Sequence, residues 1–255
     1  MSNHLINLFY KAEDFFSRSI SSKGFEFNGK TKAYLTGVDS GDLNPLIVRE
    51  NIPDINEVLD SCSEIFKKNK LPWVVVIPEH FLDDRLENIL KDKNFKYTSK
   101  SVAMFIELNE ELCLPQSHKN NNLIIKCVDE NLTDWMIPLI CAYESTYEVA
   151  DQYRKTHENN AGFHHFSLYK DDKPVSSLTL SIDKDSVRVD DVGTLPEHQK
   201  KGYATHLMYH ALTKARALNA THCFLDASES GVSVYQKIGF SPLFKRRIYA
   251  YMERK

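Results

Sequence analysis

The chain has 255 residues, 42% of them apolar and 26% charged, enough to close a sizeable core in one large or two modest domains. A net charge of −3 argues against bulk attraction to nucleic acid or an anionic membrane, and no apolar run nears the ~20 residues of a membrane span. The five cysteines, Cys62, Cys113, Cys127, Cys141 and Cys223, are odd in number, widely spaced and without a C-x-x-C. That argues against a disulfide or zinc framework, and with Lys11, Glu13 and Asp14 interrupting any leader-like run the expected compartment is the cytoplasm.

Apolar side chains at Leu5, Ile6, Leu8, Phe9, Ala12, Phe15, Phe16 and Ile20 give residues 3–20 the spacing of an amphipathic helix. Short strands are expected at 33–36 and 46–49. Ile55, Val58, Leu59, Cys62, Ile65 and Phe66 share one face of a helix over 55–70, with Asp54 as its N-cap. The unbroken apolar run 73–77 predicts a strand covered on both faces. A helix over 82–91 and a long strand over 95–108, broken near 99–101, follow. The polar, turn-prone stretch 115–122 marks the expected boundary between domains 1–117 and 123–255.

The second half reads as a strand over 123–128, a helical region from 132 to about 157, and strands 163–169 and 175–182 around the turn 170–174. A strand over 186–194, a helix over 203–218, a strand over 221–226, a helix over 231–238 with Gly239 as its C′ residue, and closing strands over 243–252 complete it. The expected fold class is mixed α/β of the α+β kind.

The chain is organised around residues 189–208. Val187, Val189 and Val192 supply β-branched character before a turn. After it, Ala204, Leu207, Met208, Ala211, Leu212 and Ala215 recur at helical spacing. Between them, Gln199-Lys200-Lys201-Gly202-Tyr203-Ala204 places small residues where the backbone must approach something closely. The first N–H groups of the new helix point outward, and they favour an anion, in practice a phosphate.

Gln199-x-x-Gly202-x-Ala204 resembles the Q/R-x-x-G-x-G/A loop of the GNAT superfamily of N-acetyltransferases. Downstream, Ala227-Ser228-x-x-Gly231-x-x-x-Tyr235-x-x-x-Gly239-Phe240 resembles the family's last-helix motif, at the expected distance. The resemblance covers about residues 123–255 and implies a GNAT-like acyl-CoA N-acyltransferase fold. It implies acetyl-CoA as co-substrate, an amine acceptor, no metal and direct attack in a ternary complex.

The same resemblance implies site residues. Val192, Gly193 and Thr194 would pair with the pantetheine arm as an added strand, with Val192 N–H as oxyanion donor. Gln199 to Thr205, including Lys200, Lys201, Gly202, Tyr203 and Ala204, would present amides to the pyrophosphate; solvated loop lysines are the bland reading of Lys200 and Lys201. Ser228 stands where many members carry an asparagine on the pantetheine arm. Tyr235 would protonate the departing thiolate or orient the thioester, against the plain reading of a core tyrosine.

The base stays open among Asp191, its neighbour Asp190, Glu144 and a water relay. Asp190 and Asp191 adjoin on a strand, so they are expected on opposite faces. Glu144, Tyr147, Glu148, Asp151 and Tyr153 give the early helical region an acidic, aromatic character that suits a cationic amine; a solvated helix face is the alternative. His206 and His210 read as exposed histidines, and His164-His165 diverge on a strand.

Leu90-Lys-Asp-Lys-Asn-Phe95 matches Tyr235-Gln-Lys-Ile-Gly-Phe240 in place, so residues 1–117 read as a decayed tandem copy of the same fold. No glycine lies between Asp42 and Ala161, and Pro53 and bulky residues occupy the segment near Glu50–Ile55 where a phosphate loop would stand. Leu90, at the place of Tyr235, has no proton to give. The first half is therefore expected to be a non-catalytic partner. The full expectation is an acetyl-CoA-dependent N-acetyltransferase of unspecified amine, with a homodimer among the expected assemblies. A non-catalytic acyl-CoA sensor is the rival reading.

Overall fold

A computed structural model describes residues 3–27, 29–109, 123–184 and 186–253. The expected boundary 115–122 and Cys113 lie outside the described residues. Helix α1 (Asn3–Ser19) is followed by strands β1 (Lys23–Phe27), β2 (Thr31–Leu35) and β3 (Pro45–Ile47), helix α2 (Ile55–Asn69), β4 (Val74–Pro78), α3 (Asp84–Asp92) and β5 (Phe95–Glu107). The second half runs β6 (Leu123–Cys127), α4 (Thr133–Ala142), α5 (Tyr147–His157), β7 (Phe163–Lys170), β8 (Lys173–Asp183), β9 (Ser186–Thr194), α6 (Tyr203–Ala217), β10 (His222–Ser228), α7 (Val232–Ile238) and β11 (Ser241–Tyr251).

The eleven strands of the described residues form one sheet, in the order β1-β2-β3-β4-β11-β5-β10-β9-β8-β7-β6. The centre of that order is an exchange. β11 closes against β4 of the first half, and β5 closes against β10 of the second. Each half also carries one parallel pair, β3 with β4 and β9 with β10, bridged by α2 and α6. The pattern is therefore pseudo-twofold about the β5–β11 pair. The repeat also holds locally: Asn94 (φ 62) and Gly239 (φ 117) both end the last helix in the left-handed conformation, just before the exchanged strand.

Two apolar cores lie along the sheet. Leu59, Cys62, Phe66, Trp73 and Val75 anchor the first, and Met104, Leu180, Val187, Leu207, Met208 and Leu225 the second. Each such fully buried side chain contributes about 1.5–3 kcal/mol. Helix α1 spans the join. Its Phe9 is completely buried, edge-on to Phe224 and Phe244, with the guanidinium groups of Arg188 and Arg246 5.3 and 5.4 Å from its ring centre.

A buried ion-pair chain also runs through the join. Glu13 of α1 pairs with Arg49 at 2.8 Å and with Arg246 of β11; Arg246 also pairs with Asp226 of β10, and Asp226 with Arg188 of β9 at 3.0 Å. Burial alone would raise the Glu13 carboxyl, but Arg246, Arg49 and Arg188 pull it down to about 2.

Several local expectations are corrected. β1 was not expected, because Lys23, Gly24 and Glu26 break the apolar alternation of what is a mostly exposed edge strand. Asp54 makes no side-chain cap; the first turn of α2 closes through its carbonyl, which accepts from Glu57 N–H at 3.1 Å. The break near 99–101 is absent, since β10 and β11 hold β5 from both sides and leave only a skipped residue at Thr98. The closing strands are one strand, β11, with a bulge at Leu243. The helical region 132–157 is two helices, because Thr146 caps α5 by accepting from Val149 N–H at 3.2 Å.

Candidate active site

β9 and β10 run parallel but pair only through Ser186–Arg188 against His222–Phe224; beyond that they part. On its other side, β9 faces Ser177 with Gly193 and Thr179 with Asp190, so Asp191 and Val192 oppose the single residue Leu178. That is a β-bulge, with Asp191 at φ 56. A bulge bends the strand and breaks the alternation of its side chains. Asp190 and Asp191, expected on opposite faces, therefore both line a cavity of about 570 Å³ in the opening between the strands.

Among the described residues the β9 edge past Arg188 has no strand beside it on the β10 side, where a ligand could lie along it, although the Gly193 and Thr194 carbonyls already accept from Ser176 Oγ at 2.8 Å and Gln199 Nε2 at 3.3 Å. Gly193 is required here. A Cβ would stand 2.7 Å from Leu139 Cδ2 and 3.2 Å from the Pro138 carbonyl oxygen, so the missing side chain lets α4 pack onto the bulge.

The loop after β9 turns through Pro196–His198 and reaches α6 by way of Lys200 (φ 59) and Gly202 (φ 81), the latter standing at the N-cap. Gln199 Nε2 donates back to the Thr194 carbonyl at 3.3 Å, and Lys201 Nζ donates to the Glu197 carbonyl at 2.7 Å, so both side chains brace the loop. His206 N–H, bonded to the Gly202 carbonyl, is the first amide of α6 with an acceptor. Those of Lys200, Lys201, Gly202, Tyr203, Ala204 and Thr205 find none among the described residues. The space where a Cβ of Gly202 would stand is open. This is a cradle for an anion.

Six carboxylates line the cavity: Asp39, Asp42, Glu144, Asp190, Asp191 and Asp226, with the tyrosines Tyr143, Tyr153 and Tyr235. Their environments differ. Asp190 is held by the Arg188 Nε–H at 2.9 Å, although burial keeps its carboxyl above the usual range. Asp191 pairs with no lysine or arginine among the described residues, and the nearest ionisable nitrogen to it is that of His157 at 3.9 Å. Its Oδ1 accepts from Tyr153 O–H at 2.9 Å, and burial first, then the Asp190 charge, push it up to about 7. Glu144 was expected on a helix but stands exposed in the α4–α5 connection at φ 50. Tyr235 projects from α7, its ring 6.0 Å from Phe240, and burial with the Asp190 charge pushes its phenol up to about 12.

Of the expected acidic-aromatic wall, Glu144 and Tyr153 line the cavity. Tyr147 is 66% exposed, Glu148 is exposed, and Asp151 is bound to Arg154 and Lys155 on the outer face of α5. Ser228 stands at the end of β10, where its hydroxyl accepts from Gly231 N–H at 3.3 Å and contacts Ser230, so it is committed to the turn. Asp39, Asp42, Leu43 and Phe16 come from the first half and were not legible as site residues. No local pattern marks them; the shared sheet carries them to the second half's opening.

The sequence model of the acetyltransferase (GNAT) family matches residues 129–240. None of the curated proteins matches the sequence. Among solved structures, a GCN5-related N-acetyltransferase from Kribbella flavida is similar over 96% of this chain and 95% of its own, at 15% identity and TM-score 0.69. A functionally unknown conserved protein from Staphylococcus epidermidis covers 92% and 96%, at 14% identity and TM-score 0.72. A tandem GNAT protein from the clavulanic acid biosynthesis pathway covers 100% and 97%, at 10% identity and TM-score 0.61. At these identities the likeness speaks to fold alone. No helix among the described residues is long and apolar enough to cross a membrane. Residues 129–240 are a domain of the acetyltransferase (GNAT) family, set in a chain that has the GNAT fold along its whole length.

Proposed function

We propose that the protein transfers an acyl group, acetyl in the first instance, from acyl-CoA to a cationic amine. The parted β9–β10 edge beside a cavity lined by six carboxylates carries this reading. The free amides of residues 200–205 and the empty space at Gly202 fit a CoA pyrophosphate, and the β9 edge fits a pantetheine arm. An acidic, tyrosine-rich wall draws in an ammonium group and holds it by charge and cation–π contact.

Asp191 acts as the base. An ammonium has no lone pair to attack with, and a buried carboxylate near neutrality can take its proton. Val192 N–H stabilises the oxyanion, and Tyr235, protonated well past neutral pH, gives its proton to the departing thiolate and regains one from the nitrogen of the adduct as the amide forms. Asp190 balances Arg188 and is not the base. The first half serves as a non-catalytic partner that supplies the Asp39–Asp42 wall. In this division residues 1–117 and 123–255 are the two units, and the protein works in the cytoplasm.

The test is a panel of mono-, di- and polyamines, aminoglycosides and peptides, read by free-thiol release from acetyl-CoA. Turnover is expected to favour acceptors with more than one positive charge. Tight acetyl-CoA binding with no turnover across the panel would assign a sensor instead.

A further inference from the structure

Behind Asp191 lies a row of buried titratable groups that the reaction above does not use. Among the described residues the Asp191 Oδ2 is buried with no partner at hydrogen-bond geometry, although the Thr179 hydroxyl stands near enough to favour the carboxylate, and 3.9 Å away is His157 Nε2, also buried and without a partner there. The His157 ring is enclosed by Trp135, Tyr153, Phe163 and Phe16. Its Nδ1 lies 3.0 Å from His165 Nε2. His165 Nδ1 lies 2.9 Å from Asp129 Oδ1, and its own backbone N–H reaches that oxygen at 2.6 Å. Asp129 is exposed and borders a second concavity, of about 670 Å³, which shares no lining residue with the acceptor cavity.

Proton positions along the row follow from one end. A carboxylate only accepts, so His165 Nδ1 carries its hydrogen toward Asp129. In a neutral His165 ring the lone pair is then at Nε2, and His157 Nδ1 donates to it. His157 Nε2 is then a lone pair aimed at Asp191 Oδ2. With Asp191 ionised, two lone pairs face each other in the interior; with Asp191 protonated, one O–H satisfies both atoms. The gap is roughly 1 Å longer than an O–H···N bond, which a small shift of the carboxyl closes.

We infer that His157 and His165 form a proton relay from Asp191 to the surface at Asp129, by a route separate from the opening that admits acyl-CoA and amine. The inference rests on Asp191 being the base. In each turnover Asp191 takes one proton from the ammonium at Oδ1. A half-turn of the carboxyl brings it beside His157. It passes to His157 Nε2 as the Nδ1 hydrogen of His157 moves to His165 Nε2 and that of His165 moves to Asp129, which releases it to water. One proton enters the row and one leaves, and both rings, left as Nε2–H tautomers, turn over to Nδ1–H before the next pass.

The other groups facing the row agree with this direction. Asp190, Arg188, Tyr143, Tyr153 and the Thr179 hydroxyl face Asp191, and desolvation first, with His165 adding, holds His157 far below the usual histidine range and so neutral. Burial alone would raise the Asp129 carboxyl, but His164, His165 and Cys127 hold it well below the usual carboxylate range, ionised and ready to fix the His165 tautomer. Both histidines are positioning residues in this account, since neither touches substrate.

Histidine-selective ¹⁵N labelling with long-range ring correlation spectra at pH 7 tests the row without an acceptor. Both His157 and His165 are expected as neutral Nδ1–H tautomers; an Nε2–H or cationic form of either overturns the relay. His157→Phe keeps a ring inside the aromatic cage and removes both nitrogens. With the best amine of the panel it is expected to lower turnover about tenfold or more and to enlarge the solvent deuterium effect, with acetyl-CoA affinity unchanged. Should it fail to fold, Asp129→Asn at the surface carries the same expectation. Asp191→Asn runs alongside. If Asp191→Asn is silenced while His157→Phe keeps full turnover and an unchanged isotope effect, the relay is overturned and the base stands. If Asp191→Asn keeps its turnover, the base assignment falls and the relay with it.

Discussion

The two halves repeat the same strand–helix–strand–helix–strand order, yet the crevices at their matching points differ. Between β9 and β10 there is a cavity of about 570 Å³, whereas the counterpart, beside β3 and the starts of α2 and α3, holds about 40 Å³. Ile52, Ile55, Phe81, Leu86 and Ile89 fill it. One half has Gly193, a bulge at Asp191 and free amides around Gly202. The other has Val48 continuing the ladder to Val76 at 2.9 Å and Pro53 before its helix. The topology provides a place for a site, and a few backbone positions decide whether it opens.

The sharpest way to break that contrast is Asp191→Asn. Turnover should fall about 10²–10⁴-fold, with acetyl-CoA affinity measured by calorimetry unchanged. In the native protein, turnover should rise with pH through a limb near 7. Only the ionised carboxyl accepts a proton, and burial with the Asp190 charge pushes its value up to about 7. The variant should lack that limb. Full activity in Asp191→Asn would leave the opening with no base.

The halves are not independent, and Glu13→Gln should show it. The substitution leaves Arg49 and Arg246 buried against a neutral partner and should cost about 3–5 kcal/mol in urea unfolding at pH 7. A single transition is expected, since β5 and β11 are each built into the other half. Two transitions, with only one displaced, would show the halves melting separately. The acid dependence has two steps. His157, held below its ordinary 6.5, contributes stability that is full above that value and declines beneath it. Glu13, lowered from 4.5 to about 2, adds stability that is lost as pH falls between those values; Asp14 and Asp129, lowered too, lose theirs at acid pH as well, so Glu13→Gln shrinks the second step without abolishing it.

A smaller effect separates the last helices. Tyr235→Phe should lower turnover about tenfold while leaving acetyl-CoA affinity within twofold. Its counterpart Leu90 is 1% exposed in the first core. Leu90→Tyr should therefore overpack that core, at a cost of about 1–3 kcal/mol, and add no activity. Equal turnover in Tyr235→Phe would confine Tyr235 to orienting the thioester.

Much of this was legible in the chain. Periodicity marked the long helices, and the Gln199–Ala204 and Ser228–Phe240 patterns marked the opening and its tyrosine. The exchange of β5 and β11 was not legible, because strand partners are set by long-range packing and both strands carry the same mixed pattern. The shared facing of Asp190 and Asp191 was hidden too, since alternation is the only rule a linear reading offers and the bulge breaks it. Asp39 and Asp42 lie far from any motif. His157 and His165 looked like ordinary histidines until folding brought them within 3.0 Å of each other.

The finest contrast concerns the two loops that precede α2 and α6. At φ 81, Gly202 can keep its neighbours' amides pointing outward, and a β-branched residue is strained there by about 1–2 kcal/mol. Gly202→Val should therefore weaken acetyl-CoA binding about fivefold to thirtyfold, a shift of that same free energy, with turnover at saturation little changed, because the reacting groups on β9 and α7 stay in place. Pro53→Gly in the other loop frees one amide but leaves Ile52 and Ile55 in the crevice, so calorimetry should detect no second site. If Pro53→Gly did bind acetyl-CoA, the filled crevice would be a closed door rather than a lost one, and the difference between the halves would come down to a single backbone donor.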